Sequence, residues 1–164
     1  ILRGTVQPKP YMRPDETVYA PVDGRIISVD ERSDGTKTVI LQPDLFDSHL
    51  HYAPVAGQLE DITWVDGSFK FKALDGVTND LRVRREITWR TKKGHRVKMT
   101  QFGHKWCRLI QCFLREGRHT KVSDPAGLAL FRGVVTVTFI TSTPLNVIPG
   151  QRCLEAQTQL GQAL

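Results

Sequence analysis

A mainly-β fold is what this sequence predicts: one domain over residues 1–164, with short antiparallel strands in a barrel- or sandwich-like arrangement and little helix. Three observations predict it. Apolar and β-branched runs recur along the chain, turn signals separate them, and the spacing of about ten residues per strand leaves few helical periods.

Taken in order, the runs are Thr17–Ala20, Arg25–Val29, Thr36–Leu41, Glu86–Thr91, Arg96–Phe102, Trp106–Leu114 and Val134–Ile140. Between them stand Val22-Asp23-Gly24, Ser33-Asp34-Gly35, Val65-Asp66-Gly67, Lys93-Gly94, Glu116-Gly117 and Pro149-Gly150, residue types that supply the dihedral angles tight turns need. The tail Cys153–Leu164 is compatible with a short helix, and Leu74–Val83 with one helical turn. Ala20-Pro21-Val22-Asp23-Gly24 is echoed by Ala53-Pro54-Val55-Ala56-Gly57, and each suits a tight turn that opens a new strand.

Composition narrows the function. The formal charge is +6, from 23 Lys and Arg against 17 Asp and Glu, but no basic run exceeds two residues. A nucleic-acid binder would cluster basic and aromatic positions, so none is expected here. No apolar run approaches the roughly 20 residues of a membrane-spanning helix. No signal peptide is visible, although a chain that begins on Ile1 leaves room for an upstream segment. Cys107, Cys112 and Cys153 are odd in number and lack paired spacing, which argues against a disulfide framework or a zinc knuckle and favours a reducing cytoplasm.

Two places can carry chemistry. Asp23 stands in a turn, where its carboxylate makes an Asx-type hydrogen bond, serves as a general base, or orients a histidine. His49 and His51, two apart, face the same way on a strand. A third metal ligand of matching spacing is missing, and His95, His104 and His119 fit no pattern, so no metal is expected and a single catalytic histidine is the better reading.

Seven stretches in a fixed order carry a resemblance: Arg13-Pro14, Ala20–Arg25, Asp47–Gly57, Gly67–Ala73, Asn79–Arg82, Gln101–Ile110 and Gly127–Val135. They resemble the short, type II branch of the phosphatidylserine decarboxylases, the archaetidylserine decarboxylase-like branch, over about residues 13 to 155. The resemblance implies a carboxy-lyase with a covalent pyruvoyl group. In that family a serine undergoes an N-to-O acyl shift, β-elimination splits the ester, and hydrolysis leaves a pyruvoyl terminus that forms a Schiff base with the substrate amine. Asp23 matches the aspartate that would activate the serine, and His49 the histidine that would assist. Lys70, Lys72 and Arg82 are the candidates to meet a phosphate or carboxylate.

The chain departs from the family pattern at the serine itself. Aligned on Gly127–Val135, Gly133 takes its place, and a shift by one puts Val134 there. Neither side chain carries a leaving group on Cβ. Thr136 and Thr138 follow in a predicted strand and would need a shifted cleavage site. The expectation is a degenerate member without a cofactor that keeps the fold and an aminophospholipid head-group pocket. The alternatives are an active carboxy-lyase with another electrophile and a serine variant that traps the precursor. An aminophospholipid or a membrane surface is the implied partner, a homo-oligomer is compatible, and the implied location is the cytoplasm or the inner membrane surface.

Overall fold

The longer strands form where β-branched residues alternate with polar ones, as at Thr36–Gln42 and Val134–Ile140. In a computed structural model, which describes residues 16–67, 82–103, 109–130 and 133–164, thirteen strands are seen and every pairing is antiparallel. They are β1 Thr17–Tyr19, β2 Gly24–Glu31, β3 Thr36–Gln42, β4 Leu50–Tyr52, β5 Gly57–Val65, β6 Arg84–Arg90 and β7 Arg96–Phe102. Then follow β8 Ile110–Cys112, β9 His119–Thr120, β10 Pro125–Ala129, β11 Val134–Ile140, β12 Arg152–Cys153 and β13 Gln159–Gln162. An eight-stranded sheet of order β12-β2-β3-β11-β7-β6-β5-β9 curls into a half-barrel, beside a β1-β13 pair and a β4-β10-β8 sheet. The predicted fold class is therefore the observed one.

The sheet order reads as a palindrome about the β11–β7 pair, and the echo of Ala20–Gly24 in Ala53–Gly57 is its visible trace. Strands β4, β5, β6, β7, β9 and β10 repeat the plan of β1, β2, β3, β11, β12 and β13 and are inserted between β3 and β11. Tyr19 N–H donates to Pro54 O at 2.8 Å, and Tyr52 N–H donates to Pro21 O at 2.8 Å. Ala20 N–H donates to Thr158 O and Ala53 N–H to Asp124 O. Gly150 N–H donates to Ile26 O as Gly117 N–H does to Leu59 O. Both opening strands carry their bulge at the same place, between Ile26 and Ser28 in β2 and between Leu59 and Asp61 in β5.

A glycine opens each of these strands because a neighbouring carbonyl occupies the place of a Cβ. A Cβ on Gly24 would lie 2.5 Å from Gln42 O, and one on Gly57 would overlap Arg90 O. Between the layers, Leu41, Leu59, Ile87, Trp89, Met99 and Phe139 are fully buried. The indole N–H of Trp89 is satisfied inside this core by Thr120 Oγ1 at 2.9 Å.

Three expectations are corrected. The tail is no helix: Arg152–Cys153 and Gln159–Gln162 are strands, with Val18 opposite Gly161. A helix of this length is marginal alone, and pairing to β1 buries Leu160 and Ala163 completely. Strand β5 was not predicted, because Glu60 and Asp61 interrupt the apolar run that its equally bulged counterpart β2 keeps at Ile26–Val29. The run Trp106–Leu114 is strand only at Ile110–Cys112 within the described residues, and Leu74–Val83 lies outside them up to residue 81.

Candidate functional site

Five chain segments meet at one end of the large sheet: the entry to β4, the start of β6, the end of β7, the end of β10 and the start of β11. Ala129 is their pivot. Its amide faces His49 O at 3.4 Å, and its side chain packs with Val83 and Ile110. A Cβ placed on Gly133 would stand 2.8 Å from Ala129 Cβ and 2.9 Å from Phe102 O. Gly103 N–H donates to Val83 O at 2.9 Å, which brings Arg82 to the same end.

Three of the residues singled out from sequence thus share this neighbourhood: His49, Arg82 and Gly133. His49 is half-buried, and its Nδ1 is buried with no hydrogen-bond partner among the described residues. Burial pushes the Arg82 guanidinium below its ordinary pKa. Lys70 and Lys72 lie outside the described residues.

One rung deeper, sequence reasoning passed over a second polar group. His51 sits opposite Gly127, fully buried, with Nδ1 2.7 Å from Gln101 Nε2. The Gln101 amide N–H donates to Nδ1, which leaves the imidazole proton on Nε2. Nε2 of His51 and Oε1 of Gln101 are both buried without a partner among the described residues. Burial first, and the neighbouring His49 second, hold the His51 pKa down at about 3, so the ring is neutral. In the other repeat the equivalent positions are Val18, Phe139 and Gly161, all apolar, and Gly161 lies against the Phe139 ring as Gly127 lies against Gln101. The available signal was a histidine and a glutamine at strand positions whose alternation calls for apolar side chains.

Asp23 is used differently from what the turn alone suggests. Its bond is no local Asx turn: Oδ1 accepts the Glu155 N–H at 2.8 Å, 132 positions away in sequence. Only 6% of Asp23 is exposed. The Tyr52 hydroxyl, on the face of β4 opposite His51, is pushed above its ordinary pKa by burial and then by the charges of Glu155 and Asp23. Among the described residues no hydrogen bond joins Asp23 to His49 or Gly133. Asp47 is also structural: it accepts the Asp44 N–H at 2.8 Å and pairs with Arg152, closing the turn before His49.

Neither group of residues makes a metal centre, since no three ligating side chains converge among the described residues. No described helix is long and apolar enough to cross a membrane.

Comparison with known proteins gives this arrangement its context. Residues 5–163 match the family model for phosphatidylserine decarboxylase. The phosphatidylserine decarboxylase proenzyme of Rhodococcus erythropolis is 28% identical over 154 residues, 88% of this chain and 65% of that protein. The proenzyme of Symbiobacterium thermophilum is 29% identical over 160 residues, 94% of this chain and 74% of that protein. No solved structure matches the chain. With the family model spanning nearly its whole length, the chain belongs to the phosphatidylserine decarboxylase family.

Proposed function

We propose that this chain is a family member that keeps the fold and a head-group pocket for an aminophospholipid but does not convert position 133 into a pyruvoyl group. The observation that carries this reading is the packing at Gly133. A serine there would set its Cβ 2.8 Å from Ala129 Cβ and 2.9 Å from Phe102 O, distances that real Cβ atoms essentially never show. Neither neighbour is the far end of a flexible side chain. With no Cβ and no leaving group at Gly133, the residue present does not fit the pyruvoyl chemistry of the family, and no step is routed through it.

The hydroxyls that follow are no better placed. Thr136 lies mid-strand in β11, opposite Ile40 on one side and Thr100 on the other. Thr138 is opposite Thr38 and Lys98, with its Oγ1 3.0 Å from Thr38 Oγ1. An acyl shift at either residue would need a backbone carbonyl that is already held inside a continuous ladder.

What this end of the sheet can do is bind. Arg82 offers a cation for a phosphate or carboxylate, and His49 offers a buried ring nitrogen to a polar group. The cytoplasmic face of a membrane is the setting in which such a head group would be met.

The test is the intact mass of freshly purified protein under denaturing conditions. One species near 18.5 kDa is the expected result. Two fragments that sum to the chain, the C-terminal one reactive toward carbonyl reagents, would sink the reading and restore a decarboxylase.

A further inference from the structure

The repeat supplies a second copy of the Gly133 neighbourhood at the opposite end of the sheet. By the strand register, His95 is the counterpart of Gly133, Ile140 of Phe102, Leu164 of Leu130 and Glu16 of His49. The backbone agrees: Ala163 N–H donates to Glu16 O at 2.9 Å where Ala129 N–H faces His49 O. Here the structure has a cleft of about 350 Å³, lined by Arg90, Gly94, His95, Arg96, Ile140 and Leu164.

Its two walls differ in chemistry. On one side Ile140, at the end of β11, and Leu164, beyond β13, are 55% and 47% exposed, and the Leu164 N–H donates to Ile140 O at 3.0 Å. On the other, Arg96 donates to both oxygens of Glu60 at 2.9 and 3.1 Å, and Arg90 pairs with the same carboxylate. Two guanidiniums share one carboxylate, which leaves a net positive charge and unused donors. Lys92 and Lys93 are exposed on the adjoining turn. Glu16, the counterpart of His49, is occupied by His95 Nδ1 at 2.8 Å and by the Lys93 N–H at 3.1 Å.

We propose that this cleft is a second ligand site, separate from the Gly133 end, for a phosphate that carries an apolar substituent. The Nη1–Nη2 edge of Arg96, which Glu60 does not use, suits a phosphate bidentately, and Ile140 and Leu164 form the shelf for the apolar part. The inference does not depend on whether position 133 is processed, so the mass measurement above and the experiment below fail separately.

The experiment is an NMR titration of the full chain with inorganic phosphate and, separately, with monomeric dihexanoyl phosphatidic acid. Both should move the Gly94 and His95 amide signals saturably, the lipid binding about tenfold more tightly through its apolar contacts. Arg96→Gln should weaken both probes by about tenfold. Ile140→Ser should weaken the lipid alone. Glu60→Gln, which removes the competing carboxylate, should tighten both. Thermal midpoints close to the parent's show that these substitutions leave the fold intact. Equal affinity for the two probes would make this a free-phosphate site and overturn the proposal. So would shifts confined to His49, Ala129 and Gly133, or affinities indifferent to both Arg96→Gln and Glu60→Gln.

Discussion

The two repeats meet their surroundings through the same corner, Ala-Pro-Val followed by Asp23-Gly24 in one and by Ala56-Gly57 in the other. At the first corner Asp23 holds the Glu155 amide beneath Tyr52. At the second, Ala56 packs into an apolar cluster with Tyr19, Val122 and Ala156. The polarity is reversed one strand away. There the first repeat is apolar at Val18 and Phe139, whereas the second buries His51 against Gln101. The backbone plan therefore needs neither polar pair, because each is replaced by apolar side chains in the other copy. Groups that a fold does without in one copy, yet keeps at a cost in burial in the other, mark positions retained for something besides stability.

Substitutions that both repeats should feel alike test the shared plan, and they carry the largest effect. Gly24→Ala and Gly57→Ala each drive a methyl into a backbone carbonyl, of Gln42 and of Arg90 respectively. Each should cost about 3 kcal/mol or more, because the obstacle is backbone and no side chain can rotate away. Chemical denaturation measures both. A large loss at one corner and none at the other would mean that the two turns are not equivalent.

The next effect separates the repeats by pH. His51 has a folded-state pKa of about 3 against an ordinary value of 6.5. Below pH 6.5 the unfolded chain takes up a proton that the folded chain refuses, so this contribution is complete above pH 6.5 and drains away as pH falls toward 3. The slope is about 1.4 kcal/mol per pH unit, and stability at pH 4 should be about 3 kcal/mol below that at pH 7. Carboxyls whose pKa is lowered, such as Glu16 and Glu86, lose their stabilisation chiefly as pH falls through and below 4.5, so the window from 6.5 to 4.5 lies above them, and comparison with a His51 variant assigns the slope to this imidazole. His51→Val, which copies Val18, should flatten the profile there. An unchanged slope in that variant would locate the proton elsewhere.

Much of this architecture was legible in the sequence, and what escaped has identifiable causes. Strands β3, β6, β7 and β11 keep their alternation, and bulged β2 keeps an apolar run at Ile26–Val29, so all five declare themselves. The echo of Ala20–Gly24 in Ala53–Gly57 was visible as turn chemistry, but not as a repeat, because one copy interrupts the other and scatters its strands along the chain. Glu60 and Asp61 broke the apolar run of β5, and β13 is four residues that become a strand only against β1. The site was half legible. His49, Arg82 and Gly133 were singled out by motif and lie at one end of the sheet, while His51 and Gln101 are 50 positions apart and pair only through the fold. Asp23 was found, but its partner at Glu155 was beyond any local rule.

A mutational cycle sharpens the difference between the two cores. Gln101→Ala alone strands the His51 ring and should cost about 1–3 kcal/mol. His51→Val with Gln101→Phe rebuilds the Val18–Phe139 pair of the other repeat, and Gly127 provides room for a ring as Gly161 does for Phe139. That double variant should fall within about 1 kcal/mol of the parent, because both members of a buried polar pair are replaced together. A double variant as costly as the sum of its single changes would show that the second repeat cannot adopt the packing of the first.

The smallest predicted effect concerns the corner where the comparison began. Asp23→Asn keeps an oxygen that can accept the Glu155 N–H but removes the charge, and should cost about 1 kcal/mol or less. It should also lower the pKa of Tyr52, since the Asp23 charge is one of the causes that raise it, after burial and Glu155. Titrating the Tyr52 absorbance in the two proteins separates the roles of the carboxylate. A lowered Tyr52 pKa with stability nearly intact means that Asp23 sets the electrostatics of this pocket beyond pinning the chain. Lost stability with an unmoved tyrosine would reduce Asp23 to a clasp for the 153–158 turn, and the polar corner would then differ from the apolar one in how it holds the chain, not in the field it creates.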